Sequence, residues 1–227
     1  MTTTRPRQGR PRHTPPPAPG TSAREQILDA AGALFVEYGI TSTSTRMIAD
    51  RVGIRQASLY YHFATKEAIL AELLATSVRP SLQTVDRIRA LVPERANPAS
   101  ALYAVAAMDV RTLSRTPYNI GTLYLLPELR AERFDAFRAE RGRLQASYGA
   151  LGALAATEDI ARGMPAERLG ELLIQLVEVV IQIRRTREPE ATDTDAIASS
   201  CLRLCGLDEP AVATARHQAR ILLSSLD

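Results

Sequence analysis

The stretch from Ile48 to Lys66, IADRVGIRQASLYYHFATK, constrains this chain more than any other. Ile48, Ala49 and Val52 recur at helical spacing and form one apolar stripe. Gly53 follows, where a helix ends most easily on a residue that tolerates positive φ. In the next segment Leu59 and Phe63 lie one turn apart and share a face. The other side carries Ala57, Ser58, Tyr60 and Tyr61, small and polar at one end, aromatic and hydroxyl-bearing at the other. Two short helices about a glycine turn, the second with a polar outer face, form the pattern of a DNA-reading helix-turn-helix.

The flanking sequence extends the pattern. Ile27, Leu28, Ala31, Leu34, Phe35 and Tyr38 mark an amphipathic helix that stops at Gly39. Thr43 and Ser44 are N-cap candidates for the helix containing Ile48. Thr65 caps a further helix with Glu67 in its first turn and Ile69, Leu70, Leu73 and Leu74 as its stripe. Over Arg24 to Leu74 the chain resembles the N-terminal domain of the TetR family of bacterial transcriptional regulators. The residues that carry the resemblance are Ile27, Ala30, Ala31, Phe35, Gly39, Thr43, Ile48, Ala49, Gly53, Leu59, Tyr60, His62, Phe63, Lys66 and Glu67, spaced without a gap. Thr45 and Ala57 depart from it: the family often has an apolar residue at the first position and Gly or Pro at the second.

The resemblance implies an all-α fold, with an N-terminal three-helix DNA-binding domain and a larger C-terminal helical domain for ligand binding and dimerisation. It implies a homodimer on a palindromic operator in double-stranded DNA, released when a small-molecule effector fills a cavity among the middle helices. No cofactor and no enzymatic activity are expected. The domains are read as a disordered basic arm over 1–21, the helix-turn-helix domain over 22–70 and the helical domain over 71–227.

The formal net charge of +3 is unevenly placed. Residues 1–20 carry Arg5, Arg7, Arg10 and Arg12 and no acid, so the rest of the chain sums to −1. Six prolines and no apolar periodicity leave this arm without a core to bury. The run Arg7-Gln8-Gly9-Arg10-Pro11-Arg12 resembles an AT-hook core. Arg7, Arg10 and Arg12 suit either a narrow A·T-rich minor groove or loose phosphate contacts. Of the 28 basic residues only Lys66 is a lysine, and the TetR resemblance implies a phosphate contact there.

Within the reading head, Tyr60 and Lys66 suit phosphate oxygens. Thr43, Ser44 and Thr45 lie at a helix N-terminus, where backbone N–H groups also favour phosphate. Base reading falls to Arg46, Arg55, Gln56, Ser58 and Tyr61, with Ala57 placed for a thymine methyl. Arg46 suits a solvated helix face equally well, and Arg55 suits a phosphate equally well. His62 projects toward the flank of Leu59 and Phe63, which favours packing over DNA contact.

The second half stays helical. Pro80, Pro93, Asn97 and Pro98 punctuate it, and Asn97 caps a helix with Pro98 at its first position, running to about Ser114. An apolar, broken segment covers Thr116 to Glu128, followed by a long helix from Glu128 to about Ala155. The helix over Pro165 to Thr186 is apolar around much of its circumference and needs cover on two sides, by its own domain and by a second subunit. The TetR resemblance implies a four-helix dimer interface with two C-terminal helices from each chain, and the partner helix there is Asp193 to Leu204 or Glu209 to Leu226. Tyr103, Met108, Tyr118, Asn119, Tyr124 and Tyr148 place polar tips among apolar side chains, as ligand cavities require. Glu178, polar within an apolar helix, suits either the ligand cavity or the subunit interface.

Other chemistry finds little support. Cys201 and Cys205 lie one turn apart without a nearby histidine and read as buried free thiols, with no metal. No zinc-protease, nucleophile-elbow or phosphate-loop motif occurs. No run of 18 apolar residues appears, so a soluble, cytoplasmic protein with no membrane partner is expected. Alternatives are an activator, a DNA-binding regulator without a small-molecule ligand, and a helical-bundle enzyme or carrier.

Overall fold

A computed structural model describes residues 21–95 and 97–224, and among these it contains helices and no strand. The chain divides into two compact units between Glu72 and Leu73. That division falls inside a helix, rather than at the 70/71 boundary read from sequence.

The first unit holds helix α1 (Ala23–Tyr38), α2 (Thr45–Val52), α3 (Gln56–His62) and the start of α4 (Lys66–Arg95). A capping box opens α1: Ser22 accepts from the Glu25 backbone N–H while the Glu25 carboxylate takes the Ser22 N–H. Such a cap stabilises a helix start by about 1 kcal/mol. Ser44 caps α2 through the Met47 N–H, and Gly53 ends it at φ 80°, in the left-handed region. Thr65 caps α4 by accepting the Ala68 N–H. Ile27, Phe35, Ile48, Leu59, Phe63 and Ile69 close over one another as the core of this unit.

Helix α4 does not break at Pro80. It continues through it to Arg95, although proline has no backbone N–H to donate. The Pro93 side chain, the arginines Arg7, Arg10 and Arg12, and the proposed disorder of residues 1–20 lie outside the described residues.

In the second unit α5 (Pro98–Arg115) is the central helix, buried on most of its circumference and capped by Asn97 with Pro98 at its first turn. It packs against α6 (Asp135–Ala155), α8 (Ala166–Ile183), α9 (Ala191–Leu204) and α10 (Glu209–Ser224). A short helix α7 (Glu158–Gly163) connects α6 to α8 and went unread in the sequence.

The single helix expected from Glu128 to Ala155 is also corrected. Two 3-10 turns, Pro127–Arg130 and Glu132–Phe134, precede α6. The Arg138 guanidinium takes the carbonyls of Leu129 and Ala131, the latter shared with the Phe134 N–H of the second turn. Helices α6 and α8 approach closely. A Cβ on Gly149 would stand 2.3 Å from the Ala166 carbonyl oxygen, and one on Gly170 would stand 2.5 Å from that of Gln145. Glycine at both positions is therefore a packing requirement.

Candidate nucleic-acid interface

Helix α3 is seven residues long and is held from beneath by Leu59 and, just past its end, Phe63, both buried. That anchoring turns Arg55, Gln56, Ala57, Ser58, Tyr60 and Tyr61 outward, and all six are exposed. Tyr61 is 87% exposed, an unusual amount of aromatic surface to leave in water. Arg55 stands at the N-cap with no side-chain capping bond. Arg46 is exposed on α2 and only 3.9 Å from Asp50, a solvated pair that holds it weakly. Together these side chains present guanidinium, amide, methyl, hydroxyl and phenol groups, the inventory that reads base edges and phosphates.

Two side chains of α3 are tied to α2. Gln56 Nε2 donates to Thr45 Oγ1 at 2.9 Å, and the Tyr60 hydroxyl lies 3.1 Å from the same oxygen. His62 is half-buried, its ring meeting Tyr61 edge-on at 5.3 Å, while its carbonyl accepts from Arg24. This favours packing over a DNA role for His62.

Two residues expected at phosphates have intramolecular partners for their side chains. Thr43 is buried, and its hydroxyl is spent on the carbonyls of Leu34 and Gly39. Its side chain is therefore withdrawn from any DNA surface, and Ser44 alone serves as the cap of α2. The Lys66 ammonium donates to the carbonyls of Ile40 at 2.7 Å and Thr43 at 2.8 Å. Lys66 thus closes the turn between α1 and α2, with one of its three N–H groups left over.

Arg24 went unread in the sequence. Its guanidinium reaches both Glu72 oxygens and the His62 carbonyl, and lies 4.1 Å from the Phe63 ring centroid. Arg24 therefore fixes the end of α3 against the helices that flank it.

The second unit gathers some of the expected ligand residues and scatters others. Tyr124 and Glu178 line a cavity of about 10 Å³ together with Ser77, Ser81, Asp109 and Arg141. That is room for roughly one water molecule. Asp109 is buried and accepts from the Ser81 and Tyr148 hydroxyls. Burial pushes its carboxyl up to about 6, although both donors favour the charged form. Arg141 pairs with both oxygens of Glu178 at 2.5 Å and lies 5.3 Å from the centroid of the Tyr124 ring. Tyr124 in turn donates to Ser77 at 2.9 Å.

Tyr103, Met108, Tyr118 and Asn119 are not among the lining residues. Tyr103 bonds Asp195, which also accepts from Arg216. Asn119 donates to the Ile181 carbonyl, the Tyr118 carbonyl accepts from Arg184, and the Met108 thioether lies 4.0 Å from the Arg111 guanidinium. Cys201 and Cys205 are buried free thiols, raised by burial to about 12 and about 11, which suppresses thiolate chemistry. Among the described residues no group of three His, Cys, Asp or Glu converges as a metal site, and no helix is long and apolar enough to cross a membrane.

Residues 27–73 match the family described as bacterial regulatory proteins, tetR family. The transcriptional repressor KstR2 of Rhodococcus jostii (strain RHA1) is 48% identical over 65 residues, 27% of this chain and 32% of that repressor. The chain thus spans about a third of the length of such curated relatives. The crystal structure of AmtR from Mycobacterium smegmatis is 41% identical, with 92% of this chain and 98% of that one covered at a TM-score of 0.79. AibR, solved with isovaleryl coenzyme A and operator DNA, shares the fold at a TM-score of 0.63 and 17% identity, over 78% of this chain and 96% of that one. A likeness to AmtR that runs through both units, joined to the reading helix and its core, places the chain in the TetR family of bacterial transcriptional regulators.

Proposed function

We propose that this regulator is a cytoplasmic repressor that binds a palindromic operator as a homodimer and is released by a small molecule. The observation that carries the DNA half is the row Arg55, Gln56, Ala57, Ser58 and Tyr61, turned outward by the buried Leu59 and Phe63. Dimerisation is supported by Leu172 and Val179, two turns apart on α8, and Ile221 on α10, apolar side chains left exposed on helices whose other faces are buried. A second copy of this chain is the occupant that would cover them and pair two reading helices about 34–36 Å apart.

The effector half rests on the cavity around Asp109, where hydroxyl, carboxyl and guanidinium groups converge among apolar walls. AibR, solved with isovaleryl coenzyme A and operator DNA together, is a protein of this fold that holds a small molecule as well as DNA. The cavity's small volume favours a second reading, a DNA-binding regulator whose larger unit serves only assembly.

Selection of bound duplexes from a random library, followed by sequencing, tests the first half. A two-fold symmetric site with half-sites about one helical turn apart is expected. Absence of any enriched sequence would sink the reading. A thermal-shift screen of metabolites then separates the two effector readings: a compound that raises the melting temperature and releases DNA supports the first, and no such compound supports the second.

A further inference from the structure

Thr45 opens α2, and its single hydroxyl stands between two side chains of α3. Each partner has a fixed stock of protons. An amide nitrogen only donates, a threonine hydroxyl has one proton to give, and a phosphate oxygen only accepts. When a phosphate takes the Tyr60 proton, the Tyr60 oxygen is left as an acceptor, and the Thr45 proton goes to it. Thr45 then offers only lone pairs to Gln56, so the amide must present its N–H there. A flipped amide would set Oε1 against an oxygen with no proton left to give, at the 2.9 Å now spanned by the Gln56–Thr45 bond.

We propose that Thr45 is a specificity-determining positioning residue, which converts phosphate docking at Tyr60 into a fixed amide orientation at Gln56. The outward edge of Gln56 keeps one N–H and Oε1 in a set order, as pairing with adenine N7 and N6 requires. A phosphate contact carries no sequence information directly. Here one acquires it through a relay running from Gln56 to Thr45 to Tyr60 to phosphate. The inference rests on α3 being the DNA-reading helix, as proposed above.

The test uses the full chain, its selected operator and single-base variants of that operator. Loss of preference in Gln56→Ala identifies the base pair that Gln56 reads, where the intact protein should discriminate by about 10-fold, as expected of a bidentate contact. Thr45→Val removes the hydroxyl with little change of volume. It should cut the preference at that base pair to about 2-fold or less while preferences elsewhere hold, and add nothing in a Gln56→Ala background. Thr45→Ser should retain the preference, and Tyr60→Phe should relax it at the same base pair. Equal weakening of all sequences by Thr45→Val, with that preference intact, overturns the relay. Should Thr45→Val fold poorly, an unchanged preference in Tyr60→Phe overturns it as well. A wild-type protein that enriches no sequence overturns the DNA-reading assignment itself, and the relay with it.

Discussion

The carbonyl oxygen of Thr43 accepts the Lys66 ammonium at 2.8 Å, while the Thr43 hydroxyl donates to the Gly39 carbonyl at the same distance. With the Ile40 carbonyl also on Lys66, the turn that delivers α2 is closed from inside by the first residue of α4. The only lysine of the chain is thereby a structural element of the reading head, whatever its remaining N–H does on DNA.

Lys66→Ala should therefore lower stability as well as operator affinity. Two charge-assisted bonds to half-buried carbonyls are removed at once, a loss of about 1–3 kcal/mol. Denaturant unfolding and operator binding measured on the same preparation check this. Weaker binding with an unchanged unfolding midpoint would return Lys66 to a pure phosphate contact.

Asp109 gives the second unit a pH dependence of definite sign. Its carboxyl is raised in the folded protein from about 3.8 to about 6, chiefly by burial. The stability it contributes is complete below pH 3.8 and is lost as pH rises through about 6, amounting to about 3 kcal/mol. Asp109→Asn cannot ionise; it keeps one acceptor oxygen where Asp109 offers one each to Ser81 and Tyr148, a loss that does not vary with pH. The difference in unfolding free energy, wild type minus variant, should fall from pH 4 to about pH 6 and level off above it. A difference that stays flat over this range would mean Asp109 titrates alike in the folded and unfolded chain.

The sequence was most legible where structure is local. The spacing of Ile48, Leu59 and Phe63 gave away the helix-turn-helix because periodicity alone decides which side chains turn inward. Asn97-Pro98 and Gly53 were legible for the same reason, as caps act within one turn. Long-range partners were not. Nothing near Arg24 announces Glu72, 48 positions away, and Lys66 could not show that its carbonyl partners lie 23 and 26 positions upstream. The start of α6 was misread because two 3-10 turns precede it, the first with its Leu129 carbonyl held by Arg138 from nine positions away. The ligand candidates were chosen as polar tips in apolar helices. Each tip selects its own partner in the fold, and only Tyr124 and Glu178 line the cavity, with Tyr148 behind it on Asp109.

The pair Arg141–Glu178 lies at the crowded α6–α8 contact, its side chains only 17% and 11% exposed. Breaking it from one side leaves a charge with little water to turn to. Arg141→Met or Glu178→Leu alone should each cost about 3–5 kcal/mol, and the double variant should cost much less than their sum, since both charges leave together. Urea unfolding of the four proteins in the cycle measures the coupling. Additive losses would mean that water or a neighbour already compensates each charge.

Val179 is 43% exposed on the most apolar helix of the second unit, and Ile221 on α10 is 61% exposed. Buried against a second copy, each such side chain, already about half covered, contributes about 1 kcal/mol to association. A carboxylate at position 179 would have to be desolvated there without a partner. Val179→Glu should accordingly shift the chain from dimer to monomer in sedimentation equilibrium, lower its melting temperature and abolish the rise of that temperature with protein concentration. Operator affinity should collapse with it, because one reading helix engages a half-site alone, while each α3 keeps its own residues. A Val179→Glu protein that remains dimeric and binds the palindrome as the wild type does would place the subunit contact on another face.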